Sequence, residues 1–328
     1  MTFVHSSIAK FACGFALNAC LVFSVLCSAS DAAEPIPPGR VLFIGIDGCR
    51  FDAIERAEAP NLDRLRADGC YSDRTLIQGE RYHGSDTVSG PGWSSLLTGV
   101  WADKHGVDNN RFRDPKLQEY PHFFVRFKSV YPQAKTVSLA SWPPISKYIV
   151  RGADVDEHPS DEDLYVPGDR EVASRAAELL SRDDPTAMFV YFGQVDEHGH
   201  KFGFSPEVPE YVAAIERVDA HVGEVLEALK RRPNFTTENW LVIVSSDHGG
   251  RGKDHGGGHG VPEIMNSFVI VSGAAAMRGA IDTPTFLVDV PVTALTHLGI
   301  ALDPAWHLDG KPIGLRASAT SSNSAGGK

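Results

Sequence analysis

The chain has 328 residues, 42% of them hydrophobic, and a formal net charge of −11. That length sustains one large α/β domain with a deep core, or two small domains. The acidic balance excludes a duplex nucleic-acid binder, which needs basic clusters, but not small anionic substrates, because a bound metal inverts the field locally.

The N-terminus has the pattern of an export signal. Lys10 precedes an apolar run from Phe11 to Cys27, and small residues Ser28-Ala29-Ser30-Asp31-Ala32-Ala33 follow. The run is short for a membrane span. Residues 1–33 are therefore expected to be cleaved, giving a secreted or periplasmic chain with no transmembrane segment. An uncleaved anchor, or a lipoprotein signal at Leu17-Asn18-Ala19-Cys20, is the alternative. Three of the five cysteines fall in this leader. Cys49 and Cys70 either pair or remain buried thiols.

Residues 41–46 (VLFIGI) read as a buried strand that delivers Asp47 at its C-terminal end. Residues 59–69 (APNLDRLRADG) read as a short helix closed by glycine. Lys135 to Ser141 reads as a strand, 143–168 as a loop or small insertion, and Arg170 to Arg182 as a helix. Ala187 to Tyr191 reads as a strand, with Asp196 shortly after it. Pro209 to Arg232 carries one apolar stripe of Tyr211, Ile215, Val218, Val222, Val225, Leu226 and Leu229, the mark of a helix. Trp240 to Val244 and Phe268 to Val271 read as strands, and Asp289 as the cap of a last helix, Val290 to Leu298. Strand and helix alternate, so the expected fold is α/β: a central, mostly parallel sheet flanked by helices, with its site at the carboxyl edge. One domain is expected over residues 34–316, followed by a small polar tail, 317–328, with the composition of disorder.

One stretch stands out, Ser85 to His105, reading SDTVSGPGWSSLLTGVWADKH. Pro91 suits the first turn of a helix, which places Ser89 at or just before the N-cap. Free N–H groups there can hold a phosphate or sulfate oxygen. Ser89 is a cap or a nucleophile, and the rest of the chain favours the nucleophile.

Asp, His and Gly recur together after apolar runs. Asp47 lies in IDG, Asp196 and His200 in DEHGH, Asp247 and His248 in SDHG, with His255 and His259 following in KDHGGGHG. Carboxylates and imidazoles at strand ends suit two divalent metals. Two metals about 4 Å apart can clamp the attacking and leaving oxygens of an in-line displacement. Metal coordination also activates a serine hydroxyl without a histidine base, which predicts a covalent seryl intermediate later released by water.

These motifs resemble the alkaline phosphatase superfamily, and within it the type I phosphodiesterase/nucleotide pyrophosphatase family. FIGIDGCRFD, SGPGWSSLLTGVWADKHGV, DEHGHKFGF, SSDHGG, GHGVPE and DVPVTALTHLGI occur in family order over about residues 40–315. The resemblance implies an alkaline-phosphatase-like sandwich with Ser89 as the nucleophile, ten residues before Gly99. It implies one metal on Asp47, Ser89, Asp247 and His248 and another on Asp196, His200 and His259, with His255 as the alternative to His259 and zinc as the usual metal. It implies a phosphodiesterase or nucleotide pyrophosphatase acting on a small phosphodiester or nucleotide. Gly92 stands where the resemblance leads one to expect a phosphoryl-binding asparagine. Gly90 and Trp93 are then expected to meet the substrate, with His83 and Tyr82 as other donors, and Trp142, Asn109 and Asn110 as pocket positions. A sulfatase would need arginine where Trp93 stands. A phosphomonoesterase or phosphonate hydrolase on the same scaffold, and a non-catalytic metal-binding protein, are the rival readings.

Overall fold

The run Arg40–Ile46 forms β1, a middle strand of the sheet, with parallel partners on each side and both faces buried under helices. The computed structural model describes residues 37, 39–79, 84–159 and 168–317. The leader 1–33, Tyr82, His83 and all but the first residue of the 317–328 tail lie outside the described residues.

After β1 come α1 (Phe51–Ile54), α2 (Pro60–Ala67) and β2 (Gly69–Leu76), then α3 (Ser89–Thr98), α4 (Ala102–His105) and α5 (Phe123–Lys128). β3 (Lys135–Ala140) and β4 (Val155–Glu157) bracket a π-type turn, Ile145–Ile149, so the expected loop over 143–168 holds structure of its own. The chain continues through α6 (Gly168–Arg182), β5 (Pro185–Phe192), α7 (Gln194–Phe202), α8 (Pro209–Lys230) and β6 (Trp240–Ser245). It closes with α9 (Pro262–Met265), β7 (Asn266–Gly273), β8 (Gly279–Ala280), β9 (Thr285–Phe286) and α10 (Asp289–His297). Asp289 is the first residue of α10 rather than its cap, and its carboxylate accepts from the Phe286 and Lys311 amides.

Among the described residues nine strands form one sheet, in the order β4-β3-β5-β1-β6-β7-β2-β8, with β9 also on β2. The five strands from β4 to β6 are parallel, while β7 runs against both β6 and β2. Period-two alternation sorts the core. Leu42, Ile44 and Ile46 face the layer of α2, α6 and α8; Val41 and Phe43 face that of α3, α5 and α10. Cys49 belongs to the first layer and Cys70 to the second, and both are buried free thiols, so they do not pair.

The register sets the site. Ile46 of β1 pairs with Phe192 of β5, and Gly45 with Ser245 of β6. Three adjacent parallel strands therefore end side by side, and the residues just beyond them are thrown onto one edge.

Candidate active site

Asp47 leaves β1 with one oxygen fixed and one offered. Its Oδ2 accepts from the Trp93 indole N–H at 2.8 Å and from the Tyr191 hydroxyl. Its Oδ1 faces Ser89 Oγ at 3.5 Å and His248 Nε2 at 3.4 Å. Gly48 follows with φ +61, and a β-carbon there would lie 2.4 Å from Asp196 Oδ1, so only glycine lets the turn pass so close. The Gly48 amide donates to Asp247 Oδ1 at 3.2 Å.

Asp247 and His248 follow β6 and are fully buried. His248 spends Nδ1–H on the Gly249 carbonyl at 2.8 Å, which turns Nε2 toward Ser89 Oγ at 3.2 Å and Asp247 Oδ2 at 3.3 Å. Ser89 itself is the first residue of α3; the N-cap is Val88, and no side chain caps the helix. The Ser89 hydroxyl is thus placed in the site, and the capping reading does not hold.

Asp196 and His200 stand one turn apart on α7, which brings their side chains together. His200 Nε2 lies 3.3 Å from Asp196 Oδ2 and 2.9 Å from His255 Nε2. His255 Nε2 lies 3.6 Å from Asp196 Oδ1, and its ring stacks on His248 with centroids 3.8 Å apart. His200 Nδ1 donates to the Lys253 carbonyl, and His255 Nδ1 to the Thr87 carbonyl. His259, expected from the sequence, does not join this group. Its Nε2 meets the Ser85 carbonyl at 2.7 Å, and the ring braces the approach to α3. The structure brings His255 to the place the sequence reading gave His259.

Two sets of candidate ligands result: Asp47, Asp196 and His248, and Asp196, His200 and His255. Their chemistry fits divalent cations. Each of the three imidazoles donates Nδ1–H to a carbonyl and turns Nε2 inward, the usual orientation of a metal-ligating histidine. Two such Nε2 atoms 2.9 Å apart require positive charge at that spot. Asp196 Oδ1 and Asp247 Oδ2 are buried with no hydrogen-bond partner among the described residues.

The electrostatics of the metal-free chain agree. Burial, then the Asp196 charge, pushes Asp47 up to about 6. Burial, with Asp47 and Asp196 beside it, raises Asp247 well above the carboxylate range. Burial also acts upward on Asp196, but the hydrogen bond from His200 and the neighbouring imidazoles hold it below its ordinary value. That same bond lifts His200 to about 9, whereas burial lowers His255 to about 4. Three carboxylates crowded out of water form a site that cations complete.

Two expected substrate contacts are differently occupied. Trp93 is fully buried, packs edge-on against Tyr191, and spends its N–H on Asp47, so it holds the site from beneath rather than meeting substrate. The Gly90 amide donates to Asn110 Oδ1 at 2.6 Å. No asparagine could stand at Gly92, where a β-carbon would lie 2.8 Å from the Asp247 carbonyl. Asn110 reaches the residue after Ser89 from the following loop instead, and its amide nitrogen is left as a donor there. Trp142 is half-buried and reaches the site through Tyr191, at 6.5 Å between centroids.

Comparison with known proteins gives the family and the fold. The model of the family described as type I phosphodiesterase / nucleotide pyrophosphatase matches residues 41–256. An uncharacterized pyrophosphatase/phosphodiesterase of Schizosaccharomyces pombe is 26% identical over 252 residues, covering 70% of this chain and 48% of that one. The bis(5'-adenosyl)-triphosphatase enpp4 of Xenopus laevis is 26% identical over 243 residues, covering 68% and 50%. The chain thus spans about half the length of these relatives. Among solved structures, murine ectonucleotide pyrophosphatase/phosphodiesterase 5, in an inactive form with AMP, superposes with a TM-score of 0.60 at 15% identity, covering 81% of this chain and 96% of that one. A putative sulfatase from Bacteroides thetaiotaomicron gives 0.64 at 14% identity, covering 85% and 74%. The sandwich of sheet and helices is therefore the alkaline-phosphatase-like fold.

Proposed function

Because the chain belongs to the type I phosphodiesterase/nucleotide pyrophosphatase family, we propose that it is a metal-dependent hydrolase of small phosphodiesters, nucleotides among them, with Ser89 as its nucleophile. One observation carries the reading. The Ser89 hydroxyl opens α3 without capping it, and lies 3.2 Å from His248 Nε2 and 3.5 Å from Asp47 Oδ1. Asp47, Asp247 and His248 would hold one divalent cation beside Ser89, and Asp196, His200 and His255 a second; nitrogen and oxygen donors without sulfur suit zinc. When bound, such cations lower the pKa of a hydroxyl and offset the charge that develops on oxygen.

This chain's own groups supply the rest. Ser89 Oγ gives its proton to solvent and attacks phosphorus; its P–O bond forms as the bond to one ester oxygen breaks, and that alkoxide leaves with the electron pair and takes a proton from solvent. Water then attacks the phosphoseryl phosphorus, and Ser89 Oγ departs and regains a proton. The first-turn N–H of Ser89 has no carbonyl within its helix to meet, and with the Asn110 amide nitrogen it would hold a non-bridging oxygen. Asn110 keeps its orientation because Oδ1 is tied to the Gly90 amide.

Export is part of the same proposal, resting on Lys10 and the apolar run to Cys27. Among the described residues no helix is long and apolar enough to cross a membrane. N-terminal sequencing of exported chain should begin near Ala33.

The test pairs a nitrophenyl nucleotide diester with nitrophenyl phosphate, each offered to zinc-loaded protein and to Ser89→Ala. Diester turnover that disappears in the variant is the expected result. Faster monoester turnover would move the chain to the phosphatase side with the same nucleophile. Two bound metals with no turnover of either ester would sink the catalytic reading.

A further inference from the structure

At the opposite end of the sheet from the metal ligands lies a groove of about 410 Å³. It opens where β6 begins, at Trp240 and Val242, six strand residues or about 20 Å from Asp247. Its floor is hydrocarbon: Leu65 of α2, Leu226 and Leu229 of α8, Phe235, Trp240 and Val242. The Trp240 indole N–H is committed to Glu238, so Trp240 presents only its apolar ring here. The volume falls in the range of small-molecule pockets, which are mostly apolar with a few placed polar groups.

Apart from the buried Ser272, the polar side chains that line the groove are charged and exposed, and most are cationic. Arg64, Lys230, Arg278 and Arg316 line the mouth. Two acids oppose them: Asp68 lies 3.5 Å from Arg278, and Glu227 pairs with Lys230 at 2.9 Å. Arg278 and Arg316 also donate to the Ala67 and Ala276 carbonyls, neutral acceptors that fix the guanidinium without cancelling its charge. Four cations against two acids leave an excess of positive charge, in a chain whose net charge is −11.

An apolar floor under a cationic rim sorts a ligand into tail and head. We propose that this groove binds a single-chain amphiphile with an anionic head, such as a fatty acid. The hydrocarbon lies along Leu229, Phe235 and Trp240, and the carboxylate meets Arg64 and Arg316. A free phosphate would leave the floor empty, and a neutral chain would leave the rim unused.

Full-length protein titrated with submicellar 9,10-dibromostearate tests this, because bromine quenches a nearby indole. Saturable quenching is expected, lost in large part in Trp240→Phe. The double variant R64E/R316E alters exposed side chains and should raise the half-saturation concentration at least tenfold while melting within a few degrees of the parent. The proposal is overturned by any of four results: no saturable quenching, full quenching retained in Trp240→Phe, equal response to the uncharged dibromo-octadecanol, or response only to phosphatidylglycerol vesicles.

Discussion

The two halves of the candidate metal-ligand cluster are built differently. Asp47, Asp247 and His248 sit directly on the ends of central strands and are buried, with Asp47 gripped by Trp93 and Tyr191. Asp196 and His200 sit on a helix, and His255 on a glycine-rich loop; the His200 side chain is 39% exposed. Strand ends fix a ligand through the whole sheet, whereas the second half depends on one helix turn and the two carbonyls, of Lys253 and Thr87, that orient its imidazoles. The buried half also carries Ser89, the proposed nucleophile. The second half is the more open one, and its third imidazole is the ligand harder to read from sequence.

Removing the nucleophile should have the largest effect. Ser89→Ala should lower diester turnover by at least about a thousandfold, while metal analysis of the variant should still find both cations, because Asp47, Asp247 and His248 remain. Loss of metal together with turnover would mean that Ser89 is needed to assemble the buried half. The next effect separates two histidines. His255→Ala should abolish one of the two metals and cost at least about a hundredfold in turnover, whereas His259→Ala should keep both metals and stay within about tenfold. Metal stoichiometry by mass spectrometry decides between them, and the opposite order would return the ligand role to His259.

That pair of histidines marks where the sequence stops being legible. Asp47, Asp247 and His248 can be read because apolar runs announce β1 and β6 and the polar residues follow at once. The parallel sheet and its carboxyl edge follow from the same runs. KDHGGGHG has no periodicity, so nothing local says which imidazole turns inward; the choice is made by Thr87, whose carbonyl receives His255 Nδ1–H and whose hydroxyl donates to the His255 carbonyl. The sequence offers the Trp93 N–H as a substitute for the donor missing at Gly92. It stands four residues after Ser89, one helical turn on, and the helix directs it into the core against Phe189. β2 was missed because GCYSDRTL mixes buried and exposed positions without strict alternation.

Trp93 then gives a way to weaken the buried half without touching a ligand. Trp93→Phe keeps most of the packing but removes the N–H from Asp47 Oδ2, leaving Tyr191 as its remaining side-chain donor. Metal affinity should fall about 10- to 100-fold, the usual cost of losing a group that orients a ligand. Turnover should recover when zinc is raised, which Ser89→Ala would not do. A variant that binds zinc normally yet turns over slowly would instead put the indole in contact with substrate.

The smallest effect concerns acid. His105 is buried behind α3; its Nδ1 accepts from the Val107 amide, so Nε2–H donates to Ser95 Oγ. Burial pushes its pKa down to about 3, and that of His122 down to about 4. The unfolded chain titrates these rings near 6.5, so below that pH it takes up protons that the fold refuses. The stability they hold is complete above pH 6.5 and declines as pH falls toward 4. Asp47 has the opposite sign in the metal-free chain. Its folded pKa of about 6 exceeds the unfolded value, so the folded chain gains protons, and stability, over the same window. A single melting curve therefore mixes the two, but a difference does not. In metal-free protein, the drop in melting temperature from pH 7 to pH 5 should be smaller in His105→Asn than in the parent, since Asp47 contributes equally to both. An unchanged drop would mean that the ring behind α3 accepts its proton inside the fold, and that the buried half is softer than its packing indicates.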